Sequence, residues 1–319
     1  MNGEREKRPV LAAALLLAAT VFWGTSFILT KTLGDLQRAQ DPRAGSWLLA
    51  SLSLMIRFGG GALLLGVWQA RRLAKLTRLE VWQGAGLGIF GGVGILLQMD
   101  GVMHTAASTC AFLTQCYCVF IPVFLVWRRR EWPAKTLAAG CLMALAGVAI
   151  LSRIDWATLR VGRGEMETIL SSIFFTAQIL WLERGIFAPN NSGRMTVVMF
   201  AVTALVVTPA LLATGHSPRE WAALYGSTGA LGIALFLTVC CTMGCYGIMN
   251  EWQPHVPATE AGMIYCCEPL FTAVFALFLP GWLAGWTGAP SVNEHWDTRL
   301  LVGGGLITSA NLLVLLRKK

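Results

Sequence analysis

The sequence predicts an all-α integral membrane protein with ten transmembrane helices in two inverted five-helix repeats. Composition, the spacing of apolar runs and an internal echo carry that prediction. Of 319 residues, 55% are hydrophobic and 13% charged, and the mean hydropathy is +0.60, too apolar for a soluble domain of this size. Thirteen Trp and 34 Gly fit a bilayer, where Trp favours the headgroup level and Gly lets helices approach closely. The formal charge of +8 is spread in short clusters between apolar runs rather than along one stripe. That pattern argues for orientation in a membrane, with lipid and not nucleic acid as the partner.

A helix needs roughly 17 to 25 apolar residues to cross the hydrocarbon. Such runs lie at 10–30, 47–68, 81–103, 107–127, 136–152, 166–185, 195–213, 225–249, 257–279 and 299–316. The first follows Arg5, Lys7 and Arg8 like a signal peptide, but its length predicts a retained membrane helix. The sixth carries Glu183 and Arg184 near its end, where both can snorkel to the interface. With the N-terminus inside, cytoplasmic segments hold 16 Lys and Arg against 8 outside, and Arg57 remains within a span. Both termini are therefore expected in the cytoplasm of a multi-pass protein of the cytoplasmic membrane.

The echo appears when Leu96–Cys116 is laid along Tyr246–Cys267 with a shift of 151, which sets Leu96 on Gly247. Asp100 then lies over Glu251, His104 over His255, Ser108 over Thr259 and Cys116 over Cys267. A shift of 152 sets Phe22–Phe27 over Phe174–Ile179. Each half then has five spans, with units expected at 1–153 and 164–319. Because five is odd, the second copy must cross the membrane upside down. Pro122 and Pro269 fall four residues apart in this register, about one helical turn.

Charge inside a span is the sharpest chemical signal. A mid-membrane arginine costs about 2.5 to 3.5 kcal/mol on insertion scales, so Arg57 is expected to face protein or water and to find a partner. Glu268 lies at a similar depth in the ninth span. Beside it, Pro269 has no N–H and leaves a carbonyl one turn earlier free. Two readings stay open for the pair: a solute path, with Glu268 exchanging a coupling proton, or a fixed ion pair or buried hydrogen-bonded network that only positions helices. Thr105, Ser108, Phe112, Gln115 and Pro122 share a helical face in the fourth span, as do Thr20, Trp23, Phe27 and Thr30 in the first. Such stripes suit a passage for an amphipathic solute or, alternatively, hydrogen bonding between helices. Gly84, Gly88 and Gly92 read as a close-packing seam.

Enzyme signatures are lacking. No HExxH, GxSxG elbow or Gly-rich nucleotide loop occurs, no cofactor is implied, and the nine Cys lie in apolar runs without a completed metal-ligand set. A membrane-embedded enzyme acting on a lipid-like substrate and a scaffold or sensor are the competing classes.

The stretches FWGTSFILTK (22–31), IRF (56–58), LLQMDGVMHTAAST (96–109), AFLTQCYCVFIPVF (111–124), PATEAGMIYCCEPLFTAVFA (257–276) and GGGLITSANLLVLL (303–316) together resemble the EamA-type branch of the drug/metabolite transporter superfamily. The resemblance implies a central cavity lined by the first four helices of each half, with the fifth and tenth as peripheral support. It implies a secondary transporter, with export as the expected direction, acting on a small organic metabolite or drug-like solute by alternating access. Carried onto this chain, the expected path residues are Trp23, Ser26, Lys31, Arg57, Gln98, Gln115, Tyr265 and Glu268, with Pro122 and Pro269 as helix breaks. One departure is the outer connection at 279–296, which is longer than the family pattern and lacks its usual Gly-Glu pair.

Overall fold

The computed structural model describes residues 8–105, 107–130, 134–151 and 162–316, and among them every regular element is helical. In order these are α1 (Pro9–Gln40), α2 (Ser46–Trp68), α3 (Arg78–His104), α4 (Ala107–Thr114), α5 (Tyr117–Arg129), α6 (Lys135–Leu151), α7 (Arg163–Leu182), α8 (Ser192–Ala213), α9 (Thr228–His255), α10 (Ala258–Tyr265), α11 (Glu268–Ala276), α12 (Leu279–Thr287) and α13 (Thr298–Leu316). Six rods are long and apolar enough to cross a membrane: α1, α2, α3, the α4–α5 stretch Cys110–Arg128, α8 and α9. The α10–α11 stretch with α12, bent by 59°, makes a seventh if the pair is one span. Of the other spans expected from the sequence, α6 and α13 are shorter apolar helices, and α7 opens with Arg163, Glu165 and Glu167. Leu63, Leu142, Leu205, Leu235 and Leu301 are each more than half exposed on the outside of the bundle. Lipid, rather than water, suits such a surface.

The bundle is organised around α3, which packs along α7 on one side and α8 on the other. Glycine makes the second contact possible. A Cβ at Gly84 would sit 2.6 Å from the Met195 carbonyl oxygen, and one at Gly88 would sit 2.7 Å from that of Met199. Gly92 continues the seam against Val206, at 3.3 Å. The expected close-packing face is thus present, and its partner is α8.

Both ends of α3 are pinned by charge. At its start Thr77 and Glu80 form a capping box, and Arg194 of α8 grips the Glu80 carboxylate through Nε at 2.9 Å and Nη2 at 2.5 Å. The Asn191 N–H adds a third donor at 2.8 Å. Near its far end Asp100, fully buried, accepts from Arg163 of α7 at 2.5 Å. Charge-assisted bonds of this kind hold two helix ends in register as well as neutralising the buried acid.

Two helices break at related places. The fourth span tightens at Gln115–Cys116, where Gln115 and Cys116 donate to Phe112 and Leu113, three residues back. The ninth tightens at Cys266–Cys267, where Cys266 and Cys267 donate to Met263 and Ile264. The breaks are 151 residues apart, so the echo in the sequence corresponds to matched interruptions. Pro122 is not where the chain breaks, because it lies inside α5, six residues past Cys116. Pro269 sits at the second position of α11, where an N–H has no intrahelical partner to lose. The expected continuous face from Thr105 to Pro122 is also interrupted. Thr105 caps α3 and donates to Glu165, and Gln115 falls in the break.

Gly88→Val drives a branched side chain into the α8 backbone and is expected to cost about 1 to 3 kcal/mol, read as a lower unfolding temperature in detergent. Gly247→Ala, with nothing within 4 Å of the added Cβ, is expected to be neutral or stabilising. Glu80→Gln removes the charge that Arg194 is built around and is expected to cost about 2 to 3 kcal/mol in the same assay.

Candidate functional site

A cavity of about 80 Å³ lies between the two halves of the chain, walled by α1, α2, α3, α4, α5, α7, α9, α10 and α11. Irregular backbone is concentrated around it. Arg57 stands in a π-helical turn, Met55–Gly59, within α2, and its Nε donates to Thr242 Oγ1 at 3.1 Å. Thr242 belongs to the π-helical stretch Leu237–Gly244 of α9. Two wide turns therefore face each other through this bond, and such turns recur at functional sites. The Cys241 carbonyl of the same stretch accepts from Trp23 Nε1 at 3.1 Å.

Arg57 is 2% exposed, and its Nη1 has no hydrogen-bond partner. Among the described residues neither Arg57 nor Glu268 forms an ion pair. No ion pair joins these two residues, and Arg57 is held instead by its hydrogen bond to Thr242. Both line the same cavity. Glu268 is the first residue of α11, at the positive end of the helix dipole. Gln115 stands in the break of the fourth span and does not line the cavity.

The apolar side is aromatic. Trp23 meets Tyr246 edge-on at 5.4 Å and Tyr265 at 5.6 Å between ring centroids, and Tyr246 meets Phe58 at 5.5 Å. This interlocked set gives a rigid apolar wall. Polar atoms interrupt it: Gln98 Nε2 donates to Thr114 Oγ1 at 3.0 Å, and Gln178, buried in the wall, has an unpartnered Nε2.

Of the expected path residues, Trp23, Ser26, Arg57, Gln98, Tyr265 and Glu268 line this cavity. Lys31 does not. It lines a second cavity of about 240 Å³, with Thr30, Asp35, Arg38, Val102 and Thr105, which shares only Phe27 and Met99 with the first. A third, of about 710 Å³, lies beyond the other end and is lined by residues that include Leu182, Glu183, Asn250, Pro254 and His255.

The central wall is built in pairs. At a separation of 152, Trp23 corresponds to Phe175, Ser26 to Gln178 and Phe27 to Ile179. At 151, Ile95 corresponds to Tyr246, Gln98 to Met249, Thr114 to Tyr265 and Tyr117 to Glu268. Arg57 and Met99 are the lining residues outside these pairs. Thr114, Tyr117, Phe175 and Gln178 are not singled out by the sequence motifs. Each is nonetheless reached by applying the internal shift to an expected path residue: Tyr265, Glu268, Trp23 and Ser26 in turn. Tyr246 is reached only through Ile95, an apolar residue that carries no signal of its own.

No three His, Cys, Asp or Glu side chains among the described residues are placed to hold a metal ion. What the cavity offers is a guanidinium with spare donors, a carboxyl group, amides and an aromatic wall. That set can hold an organic molecule through charge, hydrogen bonds and ring contacts.

Comparison with known proteins agrees with this chemistry. A relative from Archaeoglobus fulgidus, described as an uncharacterized transporter, is 24% identical over 96% of this chain and 97% of its own length. Another so described, from Haemophilus influenzae, is 30% identical over 148 residues, covering 44% of this chain and 81% of the relative. A solved crystal structure with 16% identity superposes with a TM-score of 0.66 over 96% of this chain and 97% of that one, which shows a shared fold. The model of the EamA-like transporter family matches residues 10–153. These relatives indicate a multi-pass membrane transporter of small solutes rather than an enzyme. The chain belongs to the EamA-like transporter family, within the drug/metabolite transporter superfamily.

Proposed function

We propose that the protein is a secondary transporter that exports a small organic solute across the cytoplasmic membrane by alternating exposure of the central cavity. The solute carries a ring or other apolar body against Trp23, Tyr246 and Tyr265, and an anionic group on Arg57. Ser26, Gln98 and Gln178 supply neutral hydrogen bonds. Glu268 exchanges the coupling proton, and Lys31 acts at the approach on its own side. The protein has ten spans in two inverted five-helix units, residues 1–153 and 164–319, with both termini in the cytoplasm.

One observation carries this reading: the paired wall. If two copies of one unit cross the lipid in opposite senses, a cavity on their shared axis presents equivalent surfaces to the two sides of the membrane. Seven pairs at a nearly constant separation are what such an axis produces. The matched breaks at Gln115–Cys116 and Cys266–Cys267 support it. The cavity, at about 80 Å³, is smaller than the roughly 300 Å³ of typical ligand pockets, so binding must accompany expansion toward one side.

The test is solute counterflow in vesicles holding only the purified protein, after a thermal-shift screen of ring-bearing carboxylates and uncharged analogues. Arg57→Ala is expected to weaken binding of the carboxylate about 10- to 150-fold, the loss of one charge-assisted hydrogen bond, and to leave an uncharged analogue nearly unaffected. Equal weakening of both would remove Arg57 from solute recognition. Glu268→Gln is expected to keep counterflow and to lose acceleration by an imposed pH gradient. Wild-type transport that ignores the gradient would reject the proton.

A further inference from the structure

The central cavity is separated from its two neighbours by unlike barriers. Toward Lys31, Phe27 and Met99 line both cavities, so one wall is shared. Toward Glu183, no residue lines both. Between them lies Gln253, fully buried in the tight 3-10 turn Gln253–His255 that ends α9. Its Nε2 donates to the Ile179 carbonyl oxygen at 3.0 Å, and its Oε1 accepts from Tyr265 at 3.0 Å. Ile179 and Tyr265 both line the central cavity, whereas Pro254 and His255 line the cavity beyond. One side chain thus ties α7, the end of α9 and α10 together across the passage.

The helix ends differ at this point between the two halves. Helix α7 ends at Leu182, so the Ile179 carbonyl lies in its last turn. Gln253 brings a side-chain amide to that carbonyl inside the apolar bundle. At the related position in the first half, Phe27 lies well inside α1, which runs on to Gln40, and its carbonyl is used by the helix itself. The residue 151 before Gln253 is Val102, which has no side-chain donor and lines the Lys31 cavity. The counterpart of Tyr265 is Thr114, whose hydroxyl is taken up by Gln98 and the Cys110 carbonyl. The Lys31 side therefore has no tie of this kind at the matching points, and α3 and α7 are joined there instead by Thr105 donating to Glu165.

We propose that Gln253 is the latch of the gate on the Glu183 side, a positioning residue that sets which face of the transporter is closed at rest. Breaking its two bonds lets the ends of α7 and α9 part from α10 and opens the central cavity toward Glu183. The Lys31 side, joined by the Thr105–Glu165 contact and without a glutamine at the matching point, closes in compensation. The role as a gate rests on the transport reading, but the latch itself is measurable without any solute.

The experiment is amide hydrogen exchange of the full-length protein in lipid nanodiscs, comparing wild type with Gln253→Val, which installs the side chain found at the related position. Exchange in segments 176–185 and 253–266 is expected to rise about tenfold, the size of an equilibrium shift from two lost neutral hydrogen bonds. Exchange in segments 27–38 and 99–105 is expected to fall. Loss of a merely structural helix cap would raise exchange near Ile179 without protecting the opposite face, so a rise on one face only, a rise on both, or no change overturns the proposal. Tyr265→Phe keeps the bond to Ile179 and removes the other. It is expected to give the same reciprocal pattern at smaller amplitude, and it decides the matter if Gln253→Val does not fold. A reciprocal pattern in a protein without counterflow would uphold the latch and reject the transport assignment alone.

Discussion

A backbone group released from a helix inside an apolar slab must find another partner, and much of this structure follows from that constraint. Breaks at Gln115–Cys116 and Cys266–Cys267 and π-helical turns at Met55–Gly59 and Leu237–Gly244 all release such groups. At the same place Trp23 takes the Cys241 carbonyl of the second π-helical stretch, and Gln253 takes the Ile179 carbonyl in the last turn of α7. Side chains with hydrogen-bonding capacity therefore collect where the helices are irregular. The polar groups at the cavity stand among an apolar aromatic wall, and the bundle tolerates the irregular backbone there because it is walled off from lipid.

The regular parts of α3 show the complementary solution. Its glycine face lets α8 approach until side chains and backbone touch, and its charged ends fix where along the axis that contact is made. Glu80 with Arg194 and Asp100 with Arg163 lie at opposite ends of one helix and hold different neighbours. At the position related to Asp100, Glu251 accepts from Ser192 at the start of α8. The acids at equivalent points thus each secure the first turn of another helix, α7 for Asp100 and α8 for Glu251, with different donors. Rigid seams of this kind leave motion to the broken segments.

Much of the site is legible in the sequence because a polar residue in an apolar run has few places to go. Arg57 and Glu268 stand out by charge alone, and Trp23, Ser26, Gln98 and Tyr265 by their place in the motifs. Lys31 misleads because it is one helical turn beyond Phe27, and about 6 Å along the axis is enough to move a side chain into the next cavity. The prolines mislead in another way. A missing N–H suggests a break, yet Pro122 is accommodated within α5, and the chain tightens at Gln115–Cys116, where the sequence has no breaker. Gln178 and Tyr246 stay hidden because each looks like an ordinary residue of its own helix. Their meaning comes from Ser26 and Ile95, 152 and 151 residues earlier.

On the proposed inverted-repeat reading, identity between the halves would itself be a defect. Two perfectly equivalent units would give inward-facing and outward-facing states of equal energy, and neither would be preferred in the empty protein. The wall keeps its positions paired while letting the chemistry differ, as Ser26 against Gln178 and Tyr117 against Glu268 illustrate. Arg57 goes further, since nothing in the other half of the wall answers it. A charge of this kind can serve a solute in both states because it lies near the axis, where the two half-sites meet. A difference between gates has to lie away from that axis, at helix ends, where Gln253 reaches the Ile179 carbonyl on one side and Val102 offers no counterpart on the other. Recognition and resting bias are thereby placed in different parts of the fold, and each can vary with little effect on the other.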